Sequence, residues 1–415
     1  MTFSYLAINT ESLPIYRKLD DRQGYPVLMR QAPSEEPPSL LRSAKQGILA
    51  VLLQVSSPLQ KASTRTSAVL LAVGIGFSST MPISAAGVPR YAESGQTKAQ
   101  LLSQNSKKVE ILLVSYAVTK AAYDKIIPLF VAKWKAETGQ DVVINASYGG
   151  SGSQTRAILD GLEADVSTLA LALDTKKLQK AGLIDPGWEK EVPNEGIVTK
   201  SVVALVTRPG NPKKIRTWTD LAKPGVQVIT ANPKTSGGAR WNFLGLWGSV
   251  IYTGGTEAQA KDYVTQIYKN VPVLGKDARE SSDIFFKKGQ GDVLLNYENE
   301  VILEGLQGGG KSFYVVPQTN ISIDNPVAVV DKNVDKHGTR KVAEAFAQFL
   351  FTPEAQREYA KVGFRPVTPA VVKEVDKKFP KVSKLYTVKD FGGWDTIQKK
   401  FFDDGSIFDQ IYTAR

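Results

Sequence analysis

The stretch Asn232–Arg240, NPKTSGGAR, decides how this chain is read. An apolar run, VQVITA, leads into it, and bulky helix formers, WNFLGLW, lead out of it. That order predicts a tight turn between a strand and a helix. Gly237 and Gly238 carry no side chain to bar a close approach to the backbone. Ser236 adds a hydroxyl, and Lys234 and Arg240 add positive charge nearby. Amides in the first turn of a helix have no carbonyl partner, so such a turn is suited to holding an anion. The plain alternative is a turn that Ser236 caps.

A second stretch repeats the arrangement. In NASYGGSGSQTRAIL (Asn145–Leu159) a strand ends, glycines follow, and a helix is predicted to start near Gly152, with Ser151 adding a hydroxyl. It is not a nucleotide P-loop, which would end in Gly-Lys-Ser/Thr. Alone it reads equally as a glycine turn capped by Ser151. A third helix is predicted after VSYAVTK, with its first free amide at Ala117. Each turn follows a strand, the place where open α/β sheets bind ligands. Neither glycine stretch contains Asp or Glu. A fully ionised tetrahedral dianion such as sulfate offers only acceptors, whereas phosphate near neutral pH keeps a proton and rewards a carboxylate acceptor. Charge-assisted hydrogen bonds contribute roughly 1.5–3 kcal/mol each, so about seven donors could hold a buried dianion without a full counter-charge.

Around these motifs, apolar runs with strand spacing alternate with helical spacing from Val109 onward. VEILLVSYA, DVVINASY and VSTLALAL are predicted strands. A helix ending at Gly139 follows the first of them. In WTDLAKPG, Thr219 or Asp220 is the expected helix cap. The alternation predicts an α/β fold with largely parallel sheets. Ser201–Thr207 and Pro326–Asp331 are expected to cross between two α/β lobes, leaving a cleft. Trp134, Trp241 and Trp247 sit among apolar neighbours and are expected in the core. Glu298 and Glu300 in ENE are expected in the acidic first turn of a helix.

The totals narrow the chemistry. The chain has 415 residues, no cysteine and one histidine, His337, expected to be solvated in a polar turn. Thiol chemistry, triads and Cys/His metal sites therefore have almost no material here. The net charge of +11 is spread along the chain and forms no basic tract, which argues against nucleic acid as a partner. In residues 1–86, Lys61 and Arg65 precede an apolar core at 68–77. Small residues follow, and cleavage is expected near 85–86. This is the order of a secretory signal peptide; an uncleaved anchor is the other reading.

NPKTSGGARWN, with SYGGSGSQ upstream, resembles the bacterial sulfate-binding proteins of ABC transporters. LLVSYAVTKAAY, VVALVTRPGNPKKI, GDVLLNYENE and FGGWDTIQKKFFDDGSIFDQI match that family in order, from about Val109 to Arg415. The resemblance implies a two-lobed type II periplasmic binding-protein fold. Each lobe is a central sheet flanked by helices, with the ligand in the cleft. The lobes would be residues 109–200 plus 325–415, and residues 201–324. It further implies a monomeric periplasmic receptor that hands sulfate to an inner-membrane ABC permease, with no reaction catalysed and neither cofactor nor metal. Carried over residue by residue, the sulfate donors fall on Ala117, Ser151, Ser236, Gly237, Gly238, Ala278 and Tyr297, with Arg240 supporting from behind. The resemblance is imperfect at two of these: well-studied members have Asp where Ala117 stands and Trp where Tyr297 stands.

Two other readings compete. Thiosulfate or another oxyanion would suit the same fold. A hydrolase of sulfate or phosphate esters would need a metal cluster or an activated nucleophile, and neither Ser151 nor Ser236 has an evident base in the sequence.

Overall fold

The computed structural model describes residues 108–307 and 313–414. The signal-peptide assignment within residues 1–86 lies outside the described residues. The chain begins β1 (Val109–Tyr116), α1 (Lys120–Thr138), β2 (Val142–Gly149), α2 (Ser151–Leu159), β3 (Val166–Thr168) and α3 (Ala172–Lys180). It continues through β4 (Ile197–Ser201), β5 (Val203–Thr207), β6 (Val228–Ala231), α4 (Gly237–Ile251) and α5 (Glu257–Lys269). Next come β7 (Leu274–Gly275), α6 (Ala278–Ser282), β8 (Val293–Tyr297) and α7 (Glu298–Gln307). Four short strands follow: β9 (Tyr314–Val315), β10 (Thr319–Ile321), β11 (Ile323–Pro326) and β12 (Ala328–Val329). The chain ends with α8 (Asp331–His337), α9 (Arg340–Phe349), α10 (Pro353–Lys361), α11 (Pro369–Glu374), β13 (Lys384–Tyr386), α12 (Trp394–Ile397) and α13 (Ile407–Thr413).

Two central sheets flanked by helices make the two lobes. One has the order β12-β3-β1-β2 and the other β7-β6-β8-β5-β9. Neither is purely parallel. β1 runs parallel to β2 and β3, and β6 to β7 and β8. However, β12 is antiparallel to β3, and β5 is antiparallel to β8 and β9. The antiparallel members directly follow the segments that pass between lobes, so they enter their sheets from the opposite end.

The crossing segments lie one strand earlier than the sequence suggests. β4 and β11 pair antiparallel as a separate two-stranded ribbon, while β5 and β12 already belong to the main sheets. VSTLALAL keeps only three residues of strand before α3 begins, because Leu171 and Ala172 already turn into the helix. The WTDLA turn is capped by Thr217, whose side chain forms a reciprocal capping box with Asp220. Gly139 ends α1 as expected, at φ 73°, with its amide donating to the Lys135 carbonyl at 2.9 Å.

α4 is buried on nearly every side, from Gly237 through Ser249. Its cover comes from the end of the chain. Phe401, Phe402 and Phe408 pack their rings against Phe243, and Tyr386 stands against Gly248. β13 pairs with β10, and α13 packs on α5. Residues 384–413 thus pack beside residues 237–269 and not wholly with the lobe that begins at Val109. A helix buried on nearly every side, as α4 is, needs a shell on its outer face, and this segment supplies it. Trp134, Trp241 and Trp247 are all buried, as expected.

Candidate anion site

Five strand ends deliver the candidate residues to one place. Ala117 opens a short 3-10 turn at the end of β1, and Ser151 opens α2 after β2. Ser236 caps α4 after β6, Ala278 opens α6 after β7, and Tyr297 is the last residue of β8. All seven expected donors, Ala117, Ser151, Ser236, Gly237, Gly238, Ala278 and Tyr297, line a single cavity. About 190 Å3 within it is not filled by protein atoms, room for a small anion and too little for a large organic solute.

The helix caps leave particular amides unspent. Ser236 Oγ accepts from the Ala239 amide at 3.3 Å, the third residue of α4. The amides of Gly237 and Gly238, at the first two positions, have no intrahelical carbonyl to meet. Because Ser236 Oγ acts as acceptor in the cap, its own hydrogen remains to be donated. α6 repeats the device: Asp277 Oδ1 accepts from the Glu280 amide at 2.9 Å and leaves the Ala278 amide. Asn232 folds the turn beneath, its carbonyl accepting from the Thr235 and Ser236 amides at 3.1 and 2.8 Å.

Ser151 differs from expectation. Its hydroxyl donates to Asp174 Oδ2 at 2.7 Å and accepts from the Ala170 amide at 3.0 Å. With its one proton committed, Ser151 offers the cavity its backbone amide rather than its hydroxyl. Asp174 is wholly buried and reaches Arg240 Nη1 at 3.7 Å. Arg240 is buried too, and its Nε donates to the Pro233 carbonyl at 2.9 Å, so it braces the glycine turn. Lys234 points away: its Nζ donates to Asp409 at 2.9 Å and to the Phe402 carbonyl at 3.1 Å. The positive charge expected from Lys234 therefore fastens the chain terminus and does not face the cavity.

Tyr297 is fully buried, and its hydroxyl has no hydrogen-bond partner among the described residues. Burial, with the carboxylates of Glu300 and Asp174 nearby, raises its pKa well above the ordinary phenol value, so it keeps a proton to donate. A Cβ on Gly238 would lie 2.8 Å from the Tyr297 ring, and a Cβ on Gly237 would lie 2.6 Å from the Ala170 Cβ. Both glycines are thus fixed by close approach as well as by their amides.

Three participants escaped the sequence reading. Asp174 is in a helix remote from both glycine motifs. Tyr116 lines the cavity 6.0 Å from Tyr297, ring centre to ring centre. Asp277 places a carboxylate in a wall expected to hold donors only, although its cap contact occupies it. The only signal for Asp277 was its place before the Ala278 amide, as an N-cap type.

Residues 111–365 match the family model described as bacterial extracellular solute-binding protein. The chain is 60% identical over 339 residues to the sulfate-binding protein of Synechococcus elongatus, an alignment spanning 81% of this chain and 96% of that one. It is 41% identical over 305 residues to the thiosulfate-binding protein of Pseudomonas aeruginosa, spanning 73% and 92%. Among solved structures, the sulfate-binding protein SubI from Mycobacterium tuberculosis H37Rv aligns with a TM-score of 0.65 at 38% identity. That alignment covers 71% of this chain and all (100%) of SubI.

Proposed function

The chain belongs to the bacterial extracellular solute-binding protein family, and from that premise we propose that it is a sulfate receptor delivering its cargo to an inner-membrane ABC permease. One observation carries the reading. The seven expected donors, delivered by five strand ends, line one small cavity, and the Tyr297 hydroxyl there is buried with no hydrogen-bond partner among the described residues. Such a group costs free energy unless a ligand supplies the acceptor. The amides of Ala117, Ser151, Gly237, Gly238 and Ala278, with the hydroxyls of Ser236 and Tyr297, would surround a dehydrated dianion. Arg240 would act from behind, through the turn.

In this reading the protein is a monomer of the periplasm, exported by a signal peptide within residues 1–86, with its apolar core at about 68–77 and cleavage near 85–86. It catalyses nothing, and lobe closure is its output. One lobe begins at Val109 and the other follows β4. No nucleic acid takes part.

Thiosulfate is the second reading. The likeness to a thiosulfate-binding protein and the rotatable Tyr297 donor both favour it. Calorimetric titration of the dialysed protein with sulfate, thiosulfate and phosphate tests both. Tight one-to-one sulfate binding without phosphate heat supports the first reading. Preference for thiosulfate moves the ligand and keeps the cavity. Turnover of a sulfate ester would overturn both.

A further inference from the structure

Tyr116 is the last residue of β1 and lines the anion cavity, yet it is not one of the seven expected donors. It is buried, and its hydroxyl has no hydrogen-bond partner among the described residues. Tyr123, Tyr297 and Tyr359 share that condition, but of the four only Tyr116 and Tyr297 line the cavity. A buried donor without an acceptor costs free energy. The backbone that carries Tyr116 is pinned: its carbonyl accepts from Thr119 Oγ1 at 2.7 Å, and Thr119 Oγ1 lies 2.6 Å from Ser115 Oγ. The Tyr116 and Tyr297 ring centres stand 6.0 Å apart, with the planes tilted by 52°. One phenol comes from the first sheet and the other from the second, so they flank one corner of the cavity from opposite lobes.

The side-chain donors of the cavity are unevenly divided. The Ser236 and Tyr297 hydroxyls both belong to the second lobe. The Ser151 hydroxyl of the first lobe is committed to Asp174. Val118, Gly149, Gly150 and Ala170, other first-lobe residues of the wall, carry no polar side chain. Among the residues of the wall, Tyr116 thus holds the side-chain proton that the first lobe can still offer an anion. Burial, then the nearby Tyr297 phenol, raises the Tyr116 pKa well above the ordinary phenol value, so that proton stays in place. Thr199 of β4 pulls the other way but stands outside hydrogen-bonding geometry, and its own hydroxyl donates to Asn325 Oδ1 at 3.2 Å.

We propose that the Tyr116 hydroxyl is an eighth anion donor, supplied by the first lobe opposite Tyr297 of the second. The proposal rests on reading the cavity as a sulfate site. A dianion offers only acceptors, so one ion accepts from both phenols at once. The two protons then point at a shared charge from opposite lobes, and neither phenol is left unpaired. Without the anion both are buried and unpaired, so closing the lobes on an empty cavity carries a cost that the anion removes. The pair of phenols thereby favours closure on the ion over closure alone.

The test is calorimetric titration of the full chain with sulfate, paired with thermal melts in its absence. Tyr116→Phe is expected to weaken sulfate binding roughly ten- to a hundredfold, with the sulfate-free melting temperature equal or higher. Tyr123→Phe and Tyr359→Phe, whose side chains do not line the cavity, should bind sulfate as the wild type does. Should Tyr116→Phe not fold, Tyr297→Phe decides: saturating sulfate should still shift its tyrosine absorption band, through Tyr116. Wild-type affinity in Tyr116→Phe, or no band shift where Tyr297→Phe decides, overturns this proposal and leaves the proposed function standing. A lower sulfate-free melting temperature at unchanged affinity assigns the hydroxyl to an internal partner such as a buried water, and overturns it too. No sulfate binding by the wild type overturns the proposed function and this proposal together.

Discussion

The amide of Gly152 donates to the carbonyl of Thr235 across 3.1 Å, joining the first glycine turn to the second through their backbones. One residue follows β2 in the first sheet, and the other precedes α4 beside the second. The contact spends the second amide of α2 on the opposite lobe and leaves the first, that of Ser151, for the cavity. It also sets how near the lobes come. A Cβ would stand 2.7 Å from the Thr235 carbonyl oxygen at Gly150 and 3.2 Å from it at Gly152. The glycines of SYGGSGSQ thus allow the lobes to meet as well as freeing amides.

Gly150→Ala tests that second role. Gly150 has φ −60° and ψ 134°, which alanine adopts without strain, so the turn itself should survive. The added methyl collides only where the lobes touch. Overpacking of this kind costs about 1–3 kcal/mol, so sulfate affinity should fall roughly tenfold or more. Titration calorimetry reads the affinity, and the melting temperature without sulfate should barely move. Unchanged affinity would show that closure does not need this approach.

Tyr297→Phe removes one oxygen and keeps the ring. Since that hydroxyl has no partner among the described residues, the substitution should leave stability equal or slightly higher. Loss of a hydrogen bond to a charged ligand is expected to cost about 1.5–3 kcal/mol, or roughly ten- to a hundredfold in affinity. Thermal melts paired with calorimetry separate the two effects. A variant that binds sulfate as the wild type does would remove Tyr297 from the donor set.

The sequence made the strand-to-helix turns readable because glycine and small hydroxyl residues there have a local cause. Ser236, Gly237 and Gly238 announce themselves by what they lack. The sequence offered the Ser151 hydroxyl to the site, but that hydroxyl is claimed by Asp174 from 23 residues further along the chain. No local pattern carries such a contact. The same limit hid the antiparallel β5 and β12, whose direction depends on the β4–β11 ribbon. It also hid the packing of residues 384–413 on α4. The amphipathic tail was legible as helix, but which lobe needed covering was not.

His337 shows what tertiary partners do to a residue expected to be solvated. It ends α8 and lies between two carboxylates, Asp165 at 2.9 Å and Glu163 at 2.8 Å. The hydrogen bond to Asp165, then that to Glu163, raises its pKa above the ordinary histidine value. A raised folded-state pKa gives stability that is fully present below the unfolded value, about 6.5, and is lost as pH rises through the folded one. His337→Gln should therefore be less stable than wild type near pH 5.5, with the gap closing above neutrality. Urea unfolding at a series of pH values checks this. A gap independent of pH would assign His337 a packing role only.

Arg240 and Asp174 are both buried and lie in different lobes, 3.7 Å apart. Removing one member of a buried pair strands the other, which typically costs 3–5 kcal/mol, whereas replacing both can be nearly neutral. Lys177 stands 3.4 Å from Asp174 but is one-third exposed, so it compensates only in part. Arg240→Met should then lower stability by roughly 3 kcal/mol. Asp174→Asn should cost less, because the amide oxygen still accepts from Ser151. The double variant Asp174→Asn/Arg240→Met should recover part of what Arg240→Met loses, and the cycle of melts measures the coupling. Part of the Arg240 cost should persist even then, since its Nε also holds the Pro233 carbonyl of the glycine turn. Additive losses across the cycle would mean that the pair contributes nothing as a pair, and that Arg240 acts through the turn alone.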